Sequence, residues 1–347
     1  MITGMDRLGA AINGERSDRI PVFCNLLDQG PRELGMSSKE YFSKGEHVAE
    51  AQLRLREKYG YDNVWSLFYI GREAELLGCK EILYADDGPP SVADFVIKSN
   101  DDVSKLVVPA DVTSHPVFEE ELNCLRALRS EVGGRYPICA YVTSSMALPS
   151  MLMGMDKWME LLFIGPADVR NELLSKCHEF FVKETRAYRD AGADLLFYSS
   201  PFGSTDMVPL PFLMNTTLPW IRRDVEAVGA PGLVYMGAMS RVTNVIDTVI
   251  ENTGIGAFYL SPFDDVAEAK EAVAGRALTC GIVNDIKLID WSADEIKDEV
   301  RSLIEAGKPG GRFAFGTMLM PLAIPEGSIR AMLEAAYEYG SWGRDAG

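Results

Sequence analysis

Eight short apolar runs recur along the 347-residue chain, and their spacing constrains its fold more than any other feature. The runs are rich in β-branched and aromatic residues and contain few polar ones, which is typical of parallel strands covered on both faces. They occupy residues 20–25, 63–69, 136–143, 194–200, 232–236, 256–261, 277–284 and 312–318.

Amphipathic helical stretches, such as 168–191 and 293–306, separate most of these runs. Eight alternations of strand and helix predict an α/β fold of the closed (β/α)8 TIM-barrel type. We expect residues 1–347 to form a single barrel domain with an N-terminal helical extension. Residues 80–109 break the alternation, and their DDGPP sequence predicts a hairpin excursion.

The charge balance excludes several classes of partner. The net charge of −17 and the isoelectric point near 4.7 argue against nucleic acid and against an anionic membrane surface, because both need clustered Lys and Arg. No apolar stretch reaches the roughly 20 residues of a membrane span. The six cysteines are scattered without metal-binding spacing, which favours a reducing, cytoplasmic setting. The sequence leaves the oligomeric state open, with a homodimer among the candidates.

In such barrels the pocket is built from residues at the carboxyl ends of the strands. These positions are mostly aromatic, hydroxyl-bearing or Met, and almost none is positively charged, so they favour a neutral, aromatic small molecule. They are Asn25, Asp28, Trp65, Tyr69, Thr143, Ser144, Ser199, Ser200, Phe202, Asp206, Tyr235, Met236, Ser261, Asp264, Asn284, Asp285, Thr317 and Met318.

Three aspartates, Asp28, Asp206 and Asp264, follow the first, fourth and sixth predicted strands. A carboxyl group in an apolar pocket could serve as an acid or as a metal ligand, whereas a loop aspartate in water has neither role. The three histidines are not placed for a catalytic triad or for a two-histidine metal site.

Several segments together resemble the uroporphyrinogen decarboxylase-like superfamily. They include KYGYDNVW (58–65), EAELLGC (73–79), DAGADLL (190–196), ENTGIGAF (251–258) and IPEGSIRAM (324–332). The resemblance covers essentially the full chain and is closer to the cobalamin-dependent methyltransferases than to the decarboxylases. The decarboxylases carry an FMRQAGR-type motif after the first strand, where this chain reads NLLDQGPRELG and offers only Arg32.

The methyltransferase relatives bind zinc through a His-x-Cys pair after strand five and a Cys after strand eight. This chain departs from that pattern, because the first segment reads VYMGAMSR and Met318 stands at the second position. The departure argues against methylation of coenzyme M. It leaves transfer of a methyl group from a small methylated substrate, such as an aryl methyl ether, to cob(I)alamin on a partner corrinoid protein.

The resemblance implies a role for each residue of the expected pocket. Asp28, Asp206 and Tyr235 would stabilise the departing oxygen, and zinc, if bound, would use Asp206, Asp264 and Cys280. Substrate contacts are expected from Asn25, Trp65, Tyr69, Thr143, Ser199, Phe202, Met236, Asn284 and Met318. Three alternatives stay open: methyl transfer from the corrinoid to tetrahydrofolate or a thiol, decarboxylation of a tetrapyrrole, and a non-catalytic ligand-binding barrel.

Overall fold

A computed structural model describes residues 2–85 and 89–343 of the chain. Its strands are β1 (Val22–Asn25), β2 (Val64–Trp65), β3 (Ile82–Leu83), β4 (Ser91–Val92), β5 (Ile138–Thr143), β6 (Leu195–Ser199), β7 (Leu233–Met236), β8 (Ala257–Tyr259), β9 (Leu278–Val283) and β10 (Phe313–Leu319). Seven of the eight predicted runs contain one strand of the main sheet each, and the eighth, 312–318, matches β10 except for its last residue, Leu319.

The helices alternate with these strands. They are α1 (Gly4–Asn13), α2 (Gly30–Leu34), α3 (Ser38–Phe42), α4 (Gly45–Tyr59), α5 (Arg72–Leu76), α6 (Pro116–Val132), α7 (Leu148–Met153), α8 (Met155–Phe163), α9 (Ala167–Asp190), α10 (Leu210–Phe212), α11 (Leu218–Val228), α12 (Ile246–Thr253), α13 (Val266–Val273), α14 (Ala293–Gly307) and α15 (Glu326–Gly340). None of the helices in the described ranges is long and apolar enough to cross a lipid bilayer.

The main sheet has the order β1-β10-β9-β8-β7-β6-β5-β2, and each of its paired neighbours is parallel. This order wraps the chain into a nearly closed barrel, which confirms the predicted fold class. Parallel neighbours bring the carboxyl ends of all eight strands to one mouth, so the loops that follow them share one surface.

Side chains close the seam between β1 and β2, where the sheet has no backbone ladder. Asn63 acts as a substitute peptide group, since its Oδ1 accepts from Cys24 N at 2.9 Å and its Nδ2 donates to Cys24 O at 3.2 Å. Trp65 Nε1 also donates to Cys24 O, and Asp62 accepts from Val22 N. The buried polar groups of this seam are therefore paired although no strand pairing occurs.

The segment predicted as a hairpin excursion contains the antiparallel pair β3 and β4. Residues 86–88 of its DDGPP turn lie outside the described residues. A helical turn then begins at Ser99. The side chains of Ser99 and Asp102 form a capping box, an arrangement favoured by a Ser followed three residues later by an acidic residue.

Candidate active site

A layer of aromatic side chains fills the barrel below its mouth. Phe197 lies 4.5 Å from Trp65 and 4.9 Å from Tyr259, measured between ring centroids. These residues come from β6, β2 and β8, which alternate around the barrel, as the members of one interior layer do. In β10 the fourth position is Gly316, where an added Cβ would lie 2.7 Å from the Tyr259 hydroxyl. The layer is the floor of the mouth, and Trp65, expected to contact substrate, belongs to this floor.

The wall above the floor comes from neighbouring strands. The register pairs Thr143 with Ser199 and Ser199 with Met236, so these three predicted residues form one inward-facing row. Tyr141 faces inward as well, because it pairs with Phe197. Its half-buried ring stacks on Phe68, with centroids 3.9 Å apart.

Sequence reasoning missed both members of this stacked pair. The signal for Tyr141 was available, because residues two apart on a strand share a face and Thr143 was already placed in the pocket. Phe68 lies beyond the short strand β2, so its direction depends on the loop rather than on strand periodicity.

Two carboxyl groups lie at the mouth on either side of β10. Asp28 follows β1, and Asp285 follows β9. Both are nearly inaccessible to water, with 6% and 2% of their surface exposed. Burial raises the pKa of Asp28 to about 7 and that of Asp285 also to about 7, because the charged form loses its hydration.

Asp285 Oδ2 is buried without a hydrogen-bond partner. A raised pKa favours the protonated form of each carboxyl group, and that form can donate a proton to a bound molecule. A catalytic role was predicted for Asp28 and none for Asp285, because loop aspartates cannot be told apart in sequence until their burial is known.

Three more predicted residues lie at the same end of the barrel. Asn25 is buried at the end of β1, and its backbone N–H donates to Thr317 Oγ1 at 3.0 Å. Asn284 and Met318 are half-buried at the ends of β9 and β10. Asn284 directly precedes Asp285, and Met318 belongs to β10, which lies between the strands that Asp28 and Asp285 follow.

Tyr235 lies behind the sheet rather than in the mouth. In the register it pairs with Phe258 and with Tyr198, whose hydroxyl donates to Asp224 of α11 at 2.8 Å. This row faces the helices, and the Tyr235 hydroxyl donates to Gly203 O at 3.0 Å. The physical reason is the strand period of two, since its neighbour Met236 is the residue that faces inward.

Two further aromatic residues that were predicted to contact substrate also lie elsewhere. The Tyr69 hydroxyl donates to the Glu75 carboxylate, and its ring is fully buried. Phe202 is fully buried and packs edge-on against Trp158 with centroids 6.1 Å apart. Both side chains are committed to packing between loops and helices.

The structure does not bring the expected metal ligands together. Asp206 forms an ion pair with Arg241 at 2.8 Å, which lowers the pKa of that carboxyl group. Asp264 accepts from the backbone N–H groups of residues 242 and 243, and Cys280 is buried beside Gly316 inside the barrel. In residues 2–85 and 89–343, no three His, Cys, Asp or Glu side chains are grouped to hold a metal ion.

Positive charge does not converge on the mouth. Within the described ranges, the arginines in the loops after strand ends are Arg32, Arg72 and Arg241, and each is already bound. Arg32 donates to Gln29 Oε1 at 2.6 Å, and Arg72 pairs with Glu121 at 2.5 Å. Because these arginines already bind protein groups, they are not available to bind a ligand that carries many carboxylates.

Exposed apolar side chains surround the mouth. We call Ile70, Met239, Phe263 and Ile286 the apolar rim; they follow four different strands and are 45%, 45%, 59% and 53% exposed. Exposed apolar side chains at the opening of a pocket are available to contact another molecule.

The uroporphyrinogen decarboxylase (URO-D) family profile matches residues 3–339. The chain belongs to this family. Among curated URO-D-like relatives, the methylcobamide:CoM methyltransferase MtbA of Methanosarcina acetivorans is 23% identical over 97% of this chain and 98% of its own length. A uroporphyrinogen decarboxylase of Geotalea uraniireducens is 22% identical over 93% of this chain and 96% of its own length.

A solved structure titled as a methyltransferase from Methanosarcina mazei superposes with a TM-score of 0.85 at 20% identity. The match covers 98% of this chain and 99% of the other. At that identity the likeness establishes the fold. It confirms the URO-D-like barrel expected from the sequence.

Proposed function

We propose that this URO-D family protein is a methyltransferase that moves a methyl group from a small methylated substrate to cob(I)alamin carried by a partner corrinoid protein. The observation that carries the proposal is that two carboxyl groups, Asp28 and Asp285, are buried at an aromatic mouth poor in positive charge, where burial raises their pKa. The name of the related MtbA, which specifies methylcobamide, supports corrinoid chemistry.

The substrate we propose is an aryl methyl ether. The bond between the methyl carbon and the ether oxygen breaks, and its electron pair stays on the oxygen. A carboxylic acid with a pKa near 7 is suited to protonate that oxygen as charge develops, so Asp28 or Asp285 supplies the proton. The Phe68–Tyr141 pair provides a flat apolar wall for the ring.

The corrinoid, when its protein is docked, supplies the cobalt centre that accepts the methyl group. The apolar rim suits docking of a corrinoid protein, because it offers exposed hydrophobic side chains around the opening and leaves the opening itself free. Contacts of this kind favour transient docking over a permanent complex. Zinc enters no step of this proposal, because the predicted ligands lie apart.

Transfer in the opposite direction, from the corrinoid to an acceptor such as tetrahydrofolate or a thiol, is the second candidate. It is favoured by the name of MtbA, which specifies CoM as the acceptor. The sequence argues against a thiol acceptor, because it has no His or Cys between Val228 and Ile250. A thiol needs activation to its thiolate, and the relatives' zinc site is the usual means.

The test uses purified protein, chemically reduced cobalamin and a panel of methoxyaromatics and methylamines, with methylcobalamin formation followed by absorbance. We expect turnover with a methoxyaromatic. Asp28→Asn and Asp285→Asn should each lower kcat by about 10²–10⁴-fold if they act as acids. Asp290→Asn, at an exposed aspartate of the same turn as Asp285, is the matched control and should retain the rate.

Three results would overturn the proposal. Consumption of methylcobalamin with tetrahydrofolate or a thiol would establish the opposite direction. Decarboxylation of a tetrapyrrole would establish the third activity of the family. Absence of all these reactions, with ligand binding retained, would identify a non-catalytic barrel.

We also propose a cytoplasmic location and leave a homodimer to be tested. All six cysteines are buried and unpaired, which suits a reducing compartment. Analytical ultracentrifugation would distinguish a monomer from a homodimer.

A further inference from the structure

Two polar side chains tie the loop that follows β1 to the loop that follows β10. Gln29 Nε2 donates to Pro321 O at 2.6 Å and to Met320 O at 3.4 Å. Arg32 donates to Gln29 Oε1 at 2.6 Å and also to Leu322 O. We call Gln29, Arg32 and these hydrogen bonds the loop clip.

The loop clip lies at a surface cleft on the outer side of the loop. Gln29 and Arg32 line this cleft, which has a volume of about 240 Å³, together with Lys58 of α4 and Glu326 of α15. Gln29 itself is only 5% exposed. The preceding residue, Asp28, does not line the cleft and is buried. The clip therefore forms a wall of the cleft while its neighbour in the chain stays shielded from water.

Tyr41 of α3 fixes the same loop at a second point. Gly30 lies between the two clip residues in the chain, and an added Cβ there would overlap the Tyr41 ring. Tyr41 is fully buried, so its ring has little freedom to move away. The backbone next to Asp28 is thus held by packing at Gly30 and by hydrogen bonds at the clip.

Burial, rather than a neighbouring charge, raises the pKa of Asp28 to about 7. Besides Arg32, the titratable groups packed around the loop are Tyr41, Glu33 of α2, Lys58 and Glu326. Lys58 forms ion pairs with both glutamates, at 3.3 and 3.1 Å. Burial also raises the pKa of the Tyr41 hydroxyl well above its usual range, so this phenol is neutral. Entry of water beside Asp28 should therefore return its pKa toward the ordinary value of 3.8.

We propose that Gln29 and Arg32 are positioning residues, because the loop clip holds Asp28 at the mouth and shields its carboxyl group from water. This inference rests on the proposed function, in which Asp28 is one of the two proton donors. Loss of the Gln29 amide leaves the carbonyl groups of Met320 and Pro321 without a donor, so water must enter to satisfy them. Asp285 follows β9 and is not part of the clip, so its titration should not depend on it.

The test follows the titration of single carboxyl groups by NMR, in protein labelled with ¹³C at the aspartate carboxyl carbons. Asp28→Asn and Asp285→Asn assign the two signals. In the wild-type protein we expect both midpoints at about pH 7. Gln29→Ala should lower the Asp28 midpoint by about one pH unit or more, a tenfold change in proton affinity, and leave the Asp285 midpoint in place. If Gln29→Ala does not fold, Gln29→Met takes its place, since it keeps the length of the side chain without its hydrogen bonds.

Arg32→Ala tests the sign of the effect. Removal of a positive charge would by itself raise the pKa of a nearby carboxyl group, whereas an opened clip should lower it. We expect a lower Asp28 midpoint. Arg32→Lys keeps the charge and a donor and should restore much of the wild-type value. Arg32 is exposed, so its variants should fold, and Lys39→Ala, at an exposed lysine of α3, is the matched control.

An unchanged or higher Asp28 midpoint in the Gln29 or Arg32 variant would overturn the inference for that residue. A parallel fall of the Asp285 midpoint would overturn it as well, because it would show a general loosening of the mouth. The titration needs no substrate, so its outcome is separate from that of the methyl-transfer assay. A lowered Asp28 midpoint in a protein without methyl transfer would contradict only the proposed reaction, and methyl transfer with an unresponsive midpoint would contradict only the role of the clip.

Discussion

Asp285→Asn should make the protein more stable at alkaline pH, at the expense of activity. The folded carboxyl group has a pKa of about 7, against an ordinary value of 3.8. A raised pKa means that the folded state holds its proton more tightly than the unfolded state. Folding is therefore penalised progressively as the pH rises from about 4 through 7.

The size of the effect follows from this difference in pKa. With unfolded and folded pKa values of 3.8 and about 7, the linkage penalty is about 2 kcal/mol at pH 5 and about 4 kcal/mol at pH 8. An asparagine side chain does not titrate, so the variant carries no such linkage penalty. The stability of Asp285→Asn relative to wild type should therefore rise by about 2.5 kcal/mol between pH 5 and pH 8. This increment is independent of any fixed cost of burying the amide.

Urea unfolding of both proteins at pH 5 and pH 8, followed by circular dichroism, measures the increment directly. Asp290→Asn is the control, since an exposed aspartate should show no such increment. An unchanged difference between the two pH values would refute the reasoning, because it would mean that Asp285 titrates normally in the folded protein. The stabilised variant should also be the catalytically impaired one, as expected for a residue retained for function.

Three further predictions concern the barrel itself. Asn63→Ala removes both seam hydrogen bonds to Cys24 and should lower the free energy of unfolding by about 2–4 kcal/mol, measured by urea unfolding, since a buried N–H is left unpaired. Gly316→Ala should lower the free energy of unfolding by about 1–3 kcal/mol, because the added methyl group overpacks the floor. Gly256→Ala is the control and should cost far less, since a Cβ there meets nothing within 4 Å. Equal shifts in the melting temperatures of the two variants would contradict this prediction. Asp224→Ala strips partners from Tyr198 and His178 and should cost about 3–5 kcal/mol, and a loss under 1 kcal/mol by the same unfolding assay would show that this network is dispensable.

The fold could be predicted because its signal is local and repeated. Each run of apolar residues, such as 278–283 within the predicted 277–284, identifies a strand covered on both faces without knowledge of its neighbours. Eight such runs alternating with helices leave few alternatives to a barrel. The seam at Asn63 could not be predicted in this way, because a side chain that replaces a strand ladder has no periodic signature.

The site was predictable only as a region. The strand ends located Asp28, Thr143, Ser199 and Met236 at the mouth, but they also suggested Tyr235, which the strand period of two directs toward the helices. The inward direction of a side chain depends on the register, and the sequence does not specify where the alternation starts.

What the sequence determined by itself was the barrel, the mouth at its strand ends, the shortage of positive charge there and the absence of the relatives' His-x-Cys motif. All of these follow from the order of residues along the chain. Only the tertiary structure decided which carboxyl groups are buried, that Asp206 pairs with Arg241, and that Glu73 accepts two hydrogen bonds from Thr143. The physical reason is that a pKa and a hydrogen-bond direction depend on burial and on neighbours distant in sequence, which exist only once the chain has folded.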